Sequence, residues 1–256
     1  MLLARLAALA LLISAGTLVA LVSTSSAEPQ PSPTEQLAVG LPSGLTPGNL
    51  AALRGLRQAV LESKHADQFV KNRTFGVNGT GQETVFLQEQ LDAHLPELRP
   101  ALRRLAAQLD ESAGWGALPG ADGPALTMRC VELLRYSGGA TGTEGVGWHA
   151  DGATLMTMVI LLSDPEEFSG GAVEFRRSTA ADAVTDERFE LRAGDALGWR
   201  GWTSHRVAPL TRGVREVFVV EWWVGEVRKR STLHLGNFCA QSDRITKTGL
   251  RSDQED

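Results

Sequence analysis

The stretch Val146-Gly147-Trp148-His149-Ala150-Asp151-Gly152 leads within three residues into Leu155-Met156-Thr157-Met158-Val159-Ile160-Leu161-Leu162. His149 and Asp151 are two apart, and in extended backbone that spacing points both side chains to the same face. One imidazole and one carboxylate on one face supply two of the three ligands of a two-His-one-carboxylate iron site. The apolar run behind them has the length of a buried strand. Far downstream, His205 offers a third ligand from a later strand, and Arg215 offers a fixed positive fork for a carboxylate.

Working outward, further short strands are expected over Thr127 to Tyr136, Ala172 to Phe175, Phe189 to Leu191, Ala196 to Trp199, Ser204 to Val207 and Val217 to Val224. Turns rich in Gly, Pro and Asp separate them, which suggests an antiparallel sandwich or barrel. Upstream the period changes. Thr46-Pro47 reads as an N-cap with proline at the first helical position, and Leu50, Leu53, Leu56, Val60 and Leu61 form an apolar stripe. That helix is expected to end near Phe69-Val70. A second helical region is expected from Glu83 to Leu95, interrupted by Pro96 and Pro100, resuming over Ala101 to Leu109 and closed by Gly114 and Gly116. A helical layer packed on a sheet makes the fold class α+β.

The chain of 256 residues has room for one large domain with short extensions. Its 25 basic and 30 acidic side chains show no long run of one sign, so neither nucleic acid nor an acidic membrane surface is indicated as a partner. Residues 1–27 read as a secretory signal peptide, with Arg5, an apolar run from Leu6 to Val22, and Ser25-Ser26-Ala27 at the cleavage site. An uncleaved N-terminal anchor is the alternative. Both place the remainder in the secretory pathway, in the endoplasmic reticulum lumen or secreted. Asn72-Arg73-Thr74 and Asn78-Gly79-Thr80 match the glycosylation acceptor pattern and agree with a glycoprotein. Residues 28–46 are expected to be a flexible linker, 47–125 a helical support region, 126–226 the β core and 227–256 a C-terminal tail. Cys130 and Cys239 are the two cysteines, read either as one bridge or as a buried thiol and a tail thiol.

Order gives the His-x-Asp triplet its weight. It follows a loop carrying Gly138, Gly139, Gly142, Gly145 and Gly147, and precedes Phe168-Ser169-Gly170-Gly171, the Gly194-Asp195 turn, His205 and Thr211-Arg212-Gly213-Val214-Arg215. That ordered set, over roughly Met128 to Val224, resembles the iron(II)- and 2-oxoglutarate-dependent oxygenases, in their prolyl and lysyl hydroxylase-like branch. The resemblance implies a double-stranded β-helix, or jelly roll, with N-terminal supporting helices. It implies His149, Asp151 and His205 as iron ligands, Arg215 as the partner of the distal carboxylate of 2-oxoglutarate, and Tyr136 as a neighbour of that co-substrate. No catalytic residue beyond the metal ligands is implied. Iron(II), 2-oxoglutarate and O2 would be consumed or held, ascorbate would support the iron, and a protein or peptide would be hydroxylated with release of succinate and CO2. Asp151 favours hydroxylation over halogenation, because halogenating members lack the carboxylate there. Arg215 stands where collagen-type prolyl 4-hydroxylases carry Lys, so prolyl and lysyl substrates both stay open.

Two other readings compete: a small-molecule 2-oxoglutarate oxygenase, and a non-catalytic jelly-roll module that keeps a metal. A hydrolase is disfavoured by the lack of a Gly-x-Ser-x-Gly elbow. The Gly-rich loop has no Gly-Lys-Ser/Thr ending, so it is no phosphate-binding loop. Trp148, Trp199, Trp202, Trp222 and Trp223 are assigned to packing, and His65, His94 and His234 to the surface or helices. The polar stretch from Arg176 to Arg188 reads as a long loop.

Overall fold

Alternation along the central strands sorts side chains into two cores, one beneath the helices and one between two sheets. The computed structural model describes residues 35–66, 69–75, 80–120, 125–138, 144–152, 154–177 and 185–224. The expected signal or anchor and the tail lie outside these residues. The first half of the described chain forms β1 (Ala38–Leu41), α1 (Pro47–Glu62), β2 (Val70–Phe75), β3 (Thr80–Phe86), α2 (Gln88–His94) and α3 (Leu98–Ala113). Then come β4 (Leu126–Ser137), β5 (Glu144–His149), β6 (Met156–Leu161), β7 (Phe168–Gly170) and β8 (Val173–Arg176). The last are β9 (Glu187–Phe189), β10 (Ala196–Arg200) and β11 (Ser204–Val224).

The larger sheet has the order β1-β10-β6-β11-β4-β3-β2. The smaller is built on the first half of β11, which pairs with β5, β7 and β8, while β9 pairs with β8. This is the expected jelly-roll core with helices on one sheet. β6 is buried along its whole length. Met156, Met158 and Ile160 join the cluster under α1 and α3, whereas Val159 and Leu161 join the cluster between the sheets. β11 divides likewise: Phe218, Val220 and Trp222 go to the helical side, while Arg215, Val217, Val219 and Glu221 line a cavity.

Ser204–Val207 and Val217–Val224, read as separate strands, belong to one continuous β11. Its corner is at Gly213, whose φ is +79° and where an added Cβ would stand 1.9 Å from the Glu167 carbonyl oxygen. A residue with a side chain would meet both the left-handed backbone and that clash.

The helical region differs in three ways. Thr46 accepts a hydrogen bond from the Asn49 amide, as the N-cap reading requires, but α1 stops at Glu62. Ser63 is extended there and its hydroxyl donates to the Val60 carbonyl, a local bond that competes with further helix. Second, β2 and β3 form an antiparallel hairpin on β4 where a loop and a helix start were expected. Pairing with β4 overrides the weak local pattern, because it buries Val85 and Thr84. Third, Pro100 lies in the first turn of α3, where amides have no intrahelical acceptor, so it interrupts nothing. The expected linker likewise contains β1, which pairs with β10 and buries Leu37 and Ala38. Cys130, buried on β4, is disulfide-bonded. Cys239 lies outside the described residues.

Phe218 is fully buried beside α1 and α3, so Phe218→Ala should cost about 3–5 kcal/mol of stability. Urea unfolding followed by tryptophan fluorescence measures it, and a loss under about 1 kcal/mol would contradict a tightly packed helix–sheet core.

Candidate metal centre

His149 and His205 are direct partners across β5 and β11, which brings their rings to a centroid distance of 4.2 Å. β5 ends at His149, so Asp151 does not stand on the strand as the two-residue spacing suggested. It sits in the following turn, where the amides of Asp151 and Gly152 both donate to the Gly201 carbonyl. That turn swings the carboxylate back between the imidazoles, and Asp151 Oδ1 lies 3.6 Å from Nε2 of each histidine. Ligand atoms of the three residues all lie within 4.8 Å of one another.

Hydrogen bonds fix which atoms face inward. His149 Nδ1 is 2.8 Å from the Gly147 carbonyl oxygen and His205 Nδ1 is 2.9 Å from that of Thr203. A carbonyl only accepts, so each Nδ1 carries the proton and each Nε2 presents its lone pair. Asp151 Oδ2 accepts from the Thr157 hydroxyl at 2.6 Å and from Trp199 Nε1 at 3.0 Å, which leaves Oδ1 for the centre. Such outer partners orient the ligands; the carbonyls on the imidazoles also raise the basicity of the histidines, whereas the donors on Asp151 lower that of the carboxylate.

Electrostatics agree. Burial by itself would raise the Asp151 carboxyl. The imidazoles of His205 and then His149, with the two hydrogen bonds, outweigh it and hold the group below its ordinary value. Burial lowers His205, against a partial upward pull from Asp151, so this imidazole is neutral near pH 7. Two imidazole nitrogens and one carboxylate oxygen, converging with no Lys or Arg against them among the described residues, fit a divalent transition metal with coordination positions left over. His149 is the open member, with 39% of its side chain exposed, while His205 is buried.

The triad opens into a cavity of about 590 Å³ between the sheets. Arg215 lines it at 3% exposure and has no acidic partner among the described residues. Burial draws the guanidinium below the usual arginine range, yet it keeps its charge. A buried, uncompensated cation facing a cavity fits an anionic ligand. Tyr136 is its cross-strand partner, with the guanidinium 5.7 Å from the centre of the ring. The Arg215 stem packs over Gly171: a Cβ there would fall 2.7 Å from Arg215 Cδ. Glu221 lines the cavity too and pairs with the fully buried Arg129. Burial nevertheless pushes its carboxyl up to about 8.

All five residues singled out in the sequence thus face one cavity. Thr157 and Trp199 were missed as parts of the site. Trp199 was assigned to packing, which it also does, and only the fold shows its N–H on the Asp151 carboxylate.

No family model matches the chain. It is 28% identical over 209 residues to a PKHD-type hydroxylase of Janthinobacterium sp. (strain Marseille), covering 75% of this chain and 82% of that one. It is 29% identical over 193 residues to a PKHD-type hydroxylase of Burkholderia ambifaria (strain MC40-6), covering 70% and 75%. Among solved structures, a 2OG-Fe(II) oxygenase family oxidoreductase from Burkholderia pseudomallei superposes with a TM-score of 0.54 at 16% identity, covering 76% and 88%. The epimerase SnoN in complex with Fe3+, alpha ketoglutarate and nogalamycin RO gives 0.56 at 16% identity, covering 86% and 90%. The fold is therefore that of 2-oxoglutarate oxygenases. With the triad and the relatives, it supports an iron(II)- and 2-oxoglutarate-dependent dioxygenase.

Trp199→Phe keeps the ring and removes the N–H from Asp151 Oδ2. It should weaken Fe(II) binding by roughly tenfold, read by anaerobic metal titration. An unchanged affinity would show that the carboxylate needs no such donor.

Proposed function

We propose that the protein is an iron(II)- and 2-oxoglutarate-dependent dioxygenase that hydroxylates a C–H bond on a prolyl or lysyl residue of a protein or peptide. The observation that carries it is the joint presence in one cavity of the His149–Asp151–His205 triad and the Arg215 cation, which has no acidic partner among the described residues. In this reading the two Nε2 atoms and Asp151 Oδ1 hold iron, and Arg215 with Tyr136 binds the distal carboxylate of 2-oxoglutarate. When bound, the iron supplies the redox chemistry by which one oxygen atom of O2 enters the substrate and the other enters succinate, with loss of CO2.

The chain's own residues do the rest. Thr157 and Trp199 keep Asp151 Oδ1 turned inward, and the Gly147 and Thr203 carbonyls hold each Nδ1 so that both Nε2 atoms face the centre. Val159, Val173, Val217 and Val219 exclude water from the cavity walls. The exposed edge of His149 and the adjoining Trp148 leave the metal side accessible, as a large substrate requires. The disulfide at Cys130 supports placement in an oxidising compartment of the secretory pathway. Ascorbate would keep the metal ferrous there, and glycosylation at the two sequons belongs to the same proposal.

Purified protein with Fe(II), ascorbate and 2-oxoglutarate should release succinate when given the right peptide, and mass spectrometry should locate one added oxygen on Pro or Lys. His149→Ala should abolish this. Failure of every peptide to raise succinate above the His149→Ala background would remove the peptide reading, and stimulation by a metabolite instead would select a small-molecule oxygenase. Arg215→Ala should weaken 2-oxoglutarate binding by roughly ten- to a hundredfold, since it deletes a charge-assisted pair. Calorimetric titration measures it.

A further inference from the structure

Among the described residues, the charged side chains that line the cavity besides the histidines are Glu132, Asp151, Arg215 and Glu221. Asp151 belongs to the metal centre. Arg215 belongs to the anion end, where Gln82 pairs with Tyr136 and Tyr136 with Arg215 across the sheet. The two that remain are both acidic. Glu221 lies six residues beyond Arg215 on the same inward face of β11, roughly 20 Å along the strand. An anion held at Arg215 leaves it uncovered.

Glu221 is one side chain removed from the metal centre. It pairs with Thr157 across β11 and β6, at the separation of about 5 Å usual for such partners, and Thr157 donates to Asp151 Oδ2. Glu221 Oε2 accepts from the fully buried Arg129. Glu221 Oε1 has no hydrogen-bond partner among the described residues, although the residue is only 9% exposed. Glu132, opposite Val219 on β4, is its diagonal neighbour, and Thr84 on β3 continues the diagonal. Thr84 lines the cavity at 2% exposure, and its hydroxyl also has no partner among the described residues. Interior polar groups are normally paired, so an acidic row with two such groups fits a ligand that carries hydrogen-bond donors and positive charge.

We propose that the residue hydroxylated is a lysine, and that Glu221 Oε1 receives its ammonium group, with Glu132 adding negative charge beside it. This rests on the reading that the protein hydroxylates a peptide. The oxidation is the one already described, with one atom of O2 entering the C–H bond and the other entering succinate as CO2 is lost. A nitrogen held at Glu221 brings the methylenes of a lysyl side chain beside the triad. A prolyl ring offers the row neither charge nor donor. Burial, opposed by Arg129 and reinforced by Asp151 and Glu132, raises the Glu221 carboxyl to about 8. A cation at Oε1 reverses that balance, and the proton leaves to solvent as the ammonium docks.

The test gives the full chain Fe(II), 2-oxoglutarate, ascorbate and three degenerate peptide libraries that differ only at the central residue, which is Lys, Nζ-acetyl-Lys or Pro. Mass spectrometry reads one added oxygen on that residue. The lysyl library should be oxidised at least about tenfold faster than the other two, the scale of one charge-assisted hydrogen bond. Glu221→Gln keeps the shape and an acceptor for Arg129 but removes the charge. It should slow oxidation of the lysyl library by roughly ten- to a hundredfold and bring it level with the acetyl-lysyl one. A packing defect would slow both alike and leave their ratio unchanged. Calorimetric titration of the Zn(II)-loaded variant with 2-oxoglutarate should return the wild-type affinity, and the library comparison on wild-type protein holds whether or not the variant folds. A prolyl or acetyl-lysyl library oxidised as fast as the lysyl one overturns the lysyl assignment and leaves the hydroxylase reading standing. So does an unchanged lysyl-to-acetyl-lysyl ratio in a Glu221→Gln variant that binds 2-oxoglutarate. No added oxygen in any library removes the peptide hydroxylase reading, and this inference with it.

Discussion

β11 hydrogen-bonds to strands of both sheets, and its corner at Arg212–Gly213 is where the smaller sheet passes into the larger. The same strand carries His205 before the corner and Arg215 after it. Because the pairing of β11 with β5 fixes His205 opposite His149, and its pairing with β4 fixes Arg215 opposite Tyr136, metal side and anion side are held at a set separation. A slip of one residue in either half would turn His205 or Arg215 away from the cavity, since alternate side chains face opposite ways. Gly213 protects that register. The corner needs a left-handed residue with no Cβ, and no other amino acid meets both demands at that position.

Charge in the cavity is arranged in order along the inward face of β11. Arg215 stands at one end without an acidic partner among the described residues, Val217 and Val219 form an apolar middle, and Glu221 stands at the far end against Arg129. Burial pushes the Glu221 carboxyl up to about 8, so near neutral pH its contact with Arg129 is chiefly a hydrogen bond and its contribution lies in the polarity of the cavity. Asp151 differs: two imidazoles and two hydrogen-bond donors surround it, with no Lys or Arg against it among the described residues. A site that converges a carboxylate and two imidazole nitrogens in this way is suited to binding a metal.

Much of this was legible in the residues. The apolar run from Leu155 to Leu162 gave a buried strand because its length and lack of polar breaks suit one. The stripe from Leu50 to Val60 gave α1. His149, Asp151, His205 and Arg215 were legible through their chemistry and order. What failed did so for identifiable reasons. The end of α1 hung on one Ser63 side-chain bond. The β2–β3 hairpin has little local signal and exists because β4 offers it a partner. Asp151 reached the right place by a turn held on the Gly201 carbonyl, although an extended strand had been expected.

The amino-acid sequence by itself determined the class of fold, the three metal-ligand candidates and the arginine that is the candidate partner for a carboxylate. Periodicity is local, and ligand chemistry belongs to the side chain whatever surrounds it. Only the tertiary structure decided that Trp199 is a hydrogen-bond donor to Asp151 as well as a core residue, that Thr157 is its companion, and that Gln82 stands next to Tyr136. Those roles depend on strand register across distant parts of the chain. Register is set by which strands pair and how the corner at Gly213 turns, and neither is written in the neighbourhood of the residues it brings together.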